Sequence, residues 1–135
     1  MRHTILVVED NKSLLRLVKS ILTRGECGED CGARPDYEVL CASSATEALR
    51  IGMEYPGPIH LLLADVMMPD MLGTEVASLL KAARPSIRVI LMSGYPDGKL
   101  AVLDAGWQFL QKPFMGEALL ARVRIALTAQ AAGGR

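Results

Sequence analysis

Apolar and polar positions alternate along this chain in two registers. Residues 4–8, 37–42, 59–64, 87–92 and 107–111 are short, predominantly apolar segments. Their length and their bounding turn residues are those of strands buried on both faces of a sheet. Between them the apolar positions fall at helical spacing. From Asn11 onward, Leu14, Leu15, Val18, Ile21 and Leu22 share one face, with Asp10 or Asn11 as the N-cap. Ser44-Ala45-Thr46-Glu47 is a capping-box pattern that opens a helix running to about residue 55, where Pro56-Gly57-Pro58 ends it. A third helix spans 73–83 with Val76, Leu79, Leu80 and Ala83 inward, and Pro85 closes it. A short fourth helix is predicted over 99–105, stopped by Gly106, and a fifth over 116–131 with Leu119, Leu120, Val123 and Leu127 inward.

Five strands alternating with five helices predict an α/β fold, a parallel sheet with helices on both faces. Right-handed crossovers leave few topologies, and the doubly wound, flavodoxin-like order 2-1-3-4-5 fits five strands. One domain is expected over 1–131, with an extended Gly-rich loop at 25–36 and a frayed tail at 132–135.

Charge narrows the function classes. Fifteen basic and fifteen acidic residues cancel, and aromatic residues make up 4% of the chain. Neither a polyanion-binding surface nor a base-stacking platform is expected, so direct nucleic-acid binding is not predicted. The first apolar run is too short for a signal peptide, and no stretch approaches the roughly 20 apolar residues of a membrane span. The chain is expected to be cytoplasmic and not inserted in a membrane. Three cysteines do not make a disulfide framework.

In such a sheet all strand C-termini share one edge, and ligands bind there at the switch point between strands one and three. At those ends stand Glu9 and Asp10 after the first strand, Asp65 after the third, Ser93 after the fourth and Lys112 after the fifth. Each alone has an ordinary explanation: a helix cap, a turn former or a surface charge. Together they form a site. Three clustered carboxylates repel one another, and a divalent cation removes the conflict. Oxygen ligands point to magnesium, calcium or manganese rather than zinc, and magnesium tends to share its shell with phosphate. Lys112 would pair with a phosphoryl oxygen, Ser93 would donate to another, and Asp65, central in the cluster, would be the nucleophile of an in-line phosphoryl transfer.

Four segments in this order resemble the receiver domain of two-component response regulators: Val8-Glu9-Asp10-Asn11; Asp65-Val66-Met67-Met68-Pro69 with Gly73; Met92-Ser93-Gly94-Tyr95; and Lys112-Pro113-Phe114. The resemblance extends from about residue 4 to 127. It implies that Asp65 is the phosphoacceptor, charged by the phosphohistidine of a histidine kinase or phosphotransfer domain. It implies that Glu9, Asp10, Asp65 and the backbone carbonyl of Met67 surround Mg2+, Glu9 through water. Ser93 matches the switch hydroxyl, Phe109 the switch aromatic and Lys112 the phosphate-binding lysine, with a cis peptide between Lys112 and Pro113. The fourth helix, fifth strand and fifth helix match the output face, toward a downstream protein target or a homodimer partner. Ser93, Tyr95, Phe109, Gln111 and Lys112 together look like receivers at the C-termini of hybrid sensor histidine kinases.

Phe109 lacks a hydroxyl, so switching through a tyrosine hydrogen bond is not open to this chain. The loop at 25–36 is longer than the family pattern. Its Cys27 and Cys31 read either as ordinary exposed thiols or as an intermolecular disulfide or half of a metal site. Cys41 reads as core packing, Trp107 as packing at a strand start, and His3 and His60 as structural. Two other readings stand beside the receiver. A magnesium-dependent phosphohydrolase of the haloacid dehalogenase type also uses a nucleophilic Asp, but carries a second acid two positions on, where this chain has Met67. A degenerate receiver would bind partners without accepting phosphate.

Overall fold

The computed structural model describes residues 3–24, 37–94 and 107–132. The five apolar runs become β1 (His3–Val8), β2 (Tyr37–Ala42), β3 (Leu61–Asp65), β4 (Arg88–Ser93) and β5 (Gln108–Gln111). They form one sheet of order β2-β1-β3-β4-β5, every pair parallel. The predicted topology therefore holds. Two boundaries move toward the C-terminal edge: β3 carries Asp65 as its last residue and β4 carries Ser93. The reason is pairing. Asp65 lies opposite Met92, and the next amide, Val66 N–H, still donates to the Met92 carbonyl at 2.8 Å.

Four helices lie among the described residues: α1 (Lys12–Arg24), α2 (Ala45–Glu54), α3 (Gly73–Ala83) and α4 (Gly116–Ala132), the last being the fifth helix of the sequence expectation. The helix predicted over 99–105, Tyr95, the loop at 25–36 with Cys27 and Cys31, and residues 133–135 lie outside the described residues. Ala132, expected in the tail, is the last helical residue.

Alternation along the strands splits the core in two. Leu6, Val8, Leu62, Ala64, Leu91 and Phe109 face α2 and α3, while Ile5, Val7, Leu61, Leu63, Ile90 and Leu110 face α1 and α4. Each fully buried aliphatic side chain contributes about 1.5–3 kcal/mol. Leu119, Leu120, Val123 and Leu127 of α4 are buried as predicted. On α3 the inward set differs from expectation: Gly73, Val76, Ala77 and Leu80 are buried, whereas Leu79 is 46% exposed and Ala83 is exposed. The buried positions follow i, i+3, i+4, i+7; Leu79 falls off that stripe, while Ala83 continues it and is exposed as the last residue of the helix.

Helix ends account for their polar groups. Asn11, not Asp10, caps α1: its Oδ1 accepts from Leu14 N–H at 3.1 Å. Ser44 caps α2 by accepting from Glu47 N–H at 3.1 Å. The return arm of that box goes one residue earlier than the pattern implies, since Glu47 accepts from Ser43 N–H at 2.9 Å. Leu72 at the start of α3 has no side-chain acceptor, and only Glu75 reaches back, accepting from Leu72 N–H at 3.2 Å.

Candidate functional site

The strand order brings β1 beside β3, so their C-terminal ends lie side by side at one edge of the sheet. Glu9 follows β1 directly and is 1% exposed. Asp10, next in the chain, is exposed. Asp65 ends β3 and is 7% exposed. One carboxylate oxygen from each of the three lies within 4.8 Å of the other two.

Lys112 stands opposite. Its Nζ donates to Glu9 Oε1 at 2.8 Å and to Asp65 Oδ2 at 2.9 Å. Its own amide donates to the Ser93 carbonyl at 2.9 Å, which anchors the turn after β5 to the end of β4. The Lys112–Pro113 peptide is cis, as the resemblance implied. The remaining oxygens of the two buried acids are held by the backbone. Asp65 Oδ1 accepts from Met67 N–H at 3.2 Å and Glu9 Oε2 from Asn11 N–H at 3.2 Å. Ser93, 1% exposed, ends β4 one residue beyond the partner of Asp65. Phe109, three residues before Lys112, is buried against Leu91 in the α2–α3 half of the core.

Charge explains the chemistry available. Burial pushes the Glu9 carboxyl up to about 7, against the lowering pull of Lys112 and of Asn11 N–H, and the charge of Asp65 adds to the rise. Burial alone would lower Lys112, but its hydrogen bonds to Glu9 and Asp65 outweigh this and raise it, so it stays a cation. Among the described residues, Lys112 is thus the cation that the two buried acids share, with the exposed Asp10 beside them. A hard divalent cation coordinated by oxygen would relieve the residual repulsion, and a donor set of three carboxylates, without thiol or imidazole, fits such an ion.

The turn after Asp65 is fastened where it leaves and re-enters the fold. Gly73 N–H donates to the Val66 carbonyl at 2.7 Å, and a Cβ on Gly73 would strike the Asp65 carbonyl. Within that turn Asp70 reaches the start of α2: its carboxylate accepts from Ala45 N–H at 3.3 Å and from Thr46 N–H and Thr46 Oγ1 at 3.0 Å each. Nothing in local sequence pattern marks this contact, because the partners lie 24 and 25 residues away. His3 and His60 are structural: their rings meet edge to face at 5.0 Å, and His60 Nδ1 accepts from Thr4 N–H at 2.8 Å. Cys41 is a half-buried free thiol on β2, and Trp107 packs against the α2–α3 half of the core. No helix among the described residues is long and apolar enough to cross a membrane.

The family model described as Response regulator receiver domain matches residues 5–124. The sensor kinase CckA of Brucella abortus is 33% identical over 131 residues, covering 94% of this chain and 13% of that protein. The transcriptional regulatory protein KdpE of Mycobacterium tuberculosis is 34% identical over 127 residues, covering 91% of this chain and 50% of that protein. The chain thus spans half or less of these relatives. Among solved structures, a CheY-like response regulator receiver domain protein from Methanospirillum hungatei superposes with a TM-score of 0.80 at 29% identity, covering 98% of this chain and 99% of that one. The phosphohydrolase alternative finds no support in these comparisons.

Proposed function

The chain belongs to the response regulator receiver domain family, and from that premise we propose that it is a phosphoacceptor whose Asp65 takes a phosphoryl group from the phosphohistidine of a histidine kinase or phosphotransfer domain. The observation that carries this is the bridge of Lys112 Nζ between Glu9 and Asp65, with Asp10 completing a three-carboxylate cluster.

Glu9, Asp10 and Asp65, with the Met67 backbone carbonyl, would hold Mg2+. When bound, the ion supplies neutralisation of the charge shared by the carboxylate and the incoming phosphoryl oxygens. An Asp65 oxygen attacks phosphorus in line with the departing imidazole nitrogen, so the new P–O bond forms as the P–N bond breaks. Lys112 turns from Asp65 toward a phosphoryl oxygen, exchanging one anionic partner for another without leaving its turn. Ser93 donates its hydroxyl to a second oxygen. Phe109 transmits the change by repacking, and the surface carrying β5 and α4 is the output face, toward a downstream protein or a second copy.

Acetyl phosphate with magnesium chloride tests this reading. Intact mass spectrometry is expected to show one phosphoryl group on the wild type and none on Asp65→Asn. Equal labelling of the two proteins would rule out Asp65 as acceptor. An unlabelled wild type that also fails to bind magnesium would favour the degenerate receiver.

A further inference from the structure

We propose that Asp70 is a positioning residue for the cation site: it moors the turn carrying Met67 to the N-terminus of α2. This rests on the functional reading above, in which the Met67 carbonyl is a ligand. The first amides of α2 divide between two caps. Ser44 takes Glu47 N–H, while the Asp70 carboxylate takes Ala45 N–H and Thr46 N–H and the Thr46 hydroxyl. Helix N-termini favour an anion there, and these backbone contacts lower the Asp70 carboxyl below its ordinary range. The turn is held at its two ends by backbone bonds, with Val66 N–H on the Met92 carbonyl and Met67 N–H on Asp65 Oδ1 where it leaves the sheet. Gly73 N–H closes its base on the Val66 carbonyl, and the Met68 side chain is buried in the core. Met67 is 51% exposed, and Asp70 is the side chain that hydrogen-bonds its segment to another element, beside the apolar contacts of Met68 and Met71 with the α2–α3 half of the core. Outer residues that fix a ligand's orientation set affinity without touching the ion.

Two caps on one helix make the idea testable. Isothermal titration calorimetry with magnesium chloride compares the wild-type chain with Asp70→Ala, Asp70→Asn and Ser44→Ala. Asp70→Ala is expected to bind about tenfold more weakly, the lower end of the loss for an outer-shell partner. Asp70→Asn, whose amide oxygen still accepts, recovers to within about threefold of wild type. Ser44→Ala melts at a lower temperature yet binds like wild type, because it loosens the same helix without freeing the turn. Thr46→Val removes one contact and keeps both backbone donors; a loss of about two- to threefold is expected. It carries the test if Asp70→Ala does not fold. Wild-type affinity in Asp70→Ala or Thr46→Val, or an equal loss in Ser44→Ala, overturns the proposal while leaving the functional reading intact. Failure of Asp70→Asn to recover assigns the effect to charge and also overturns it. A wild type that takes up no magnesium overturns both.

Discussion

At Lys112 one ammonium group satisfies two buried carboxylates at 2.8 and 2.9 Å. Removing it leaves the acids free for a cation but strips the site of its fixed phosphate partner. Lys112→Ala is therefore expected to bind magnesium at least as tightly as wild type in a calorimetric titration. Its rate of phosphoryl acceptance from acetyl phosphate should fall by about 10²–10³-fold, the usual cost of losing one preorganised charge contact. A parallel loss of both would make Lys112 a scaffold rather than a catalytic residue. The identities at this scale are readable without coordinates. Glu9, Asp10, Asp65, Ser93 and Lys112 each follow or close an apolar run, and a parallel sheet delivers all such ends to one edge. What the chain alone does not disclose is partnership: that Lys112 serves Glu9 as well as Asp65, and that burial drives Glu9 to about 7.

Between elements, two side chains act as fasteners that no periodicity reveals. Arg84, at the end of α3, donates Nε to the Gly52 carbonyl at 2.7 Å, one terminal nitrogen to Tyr55 at 2.7 Å and the other to Gly57 at 2.8 Å. It thereby places a cation at the C-terminal end of α2, on Gly52 and the C-cap Tyr55, and ties down the turn that follows through Gly57. Arg84→Ala should cost about 2–3 kcal/mol in urea unfolding, in line with losing charge-assisted hydrogen bonds, and Arg84→Lys should recover only part of it. A cost below about 0.5 kcal/mol would class the contact with ordinary surface changes. His60 joins β1 to the start of β3, donating its amide to the Thr4 carbonyl at 2.8 Å while its Nδ1 accepts from Thr4 N–H. Burial first, then the charge of His3, lowers the pKa of His60. The neutral ring is the folded form, so its stabilisation is present above the ordinary value near 6.5 and is lost as pH falls through the lowered one. Wild type should lose more thermal stability than His60→Asn between about pH 7.5 and about pH 5.5, since Asn keeps an acceptor and does not titrate there. An equal loss in both would remove His60 as the cause. On α3, Val76 and Leu80 face inward as expected, but Leu79 is apolar yet lies off the stripe they share with Gly73 and Ala77, and only packing against the sheet distinguishes the two faces.

Across the whole molecule, the order β2-β1-β3-β4-β5 is what brings Glu9, Asp10, Asp65 and Lys112 together at one edge of the sheet. The alternation of apolar runs and amphipathic stretches carries that order, because right-handed crossovers admit few others. Element ends are less legible, since Asp65 and Ser93 join their strands through pairing that extends one residue past the apolar run. The long-range ties of Asp70 and Arg84 are invisible until the chain is folded. The central claim is that this edge of the sheet delivers phosphate to one side chain. Borohydride reduction of the protein after treatment with acetyl phosphate and magnesium chloride converts an acyl phosphate to the corresponding alcohol, which peptide mass spectrometry then locates. The account predicts homoserine at position 65 alone, and reduction products at Glu9 or Asp10, with position 65 unchanged, would contradict it.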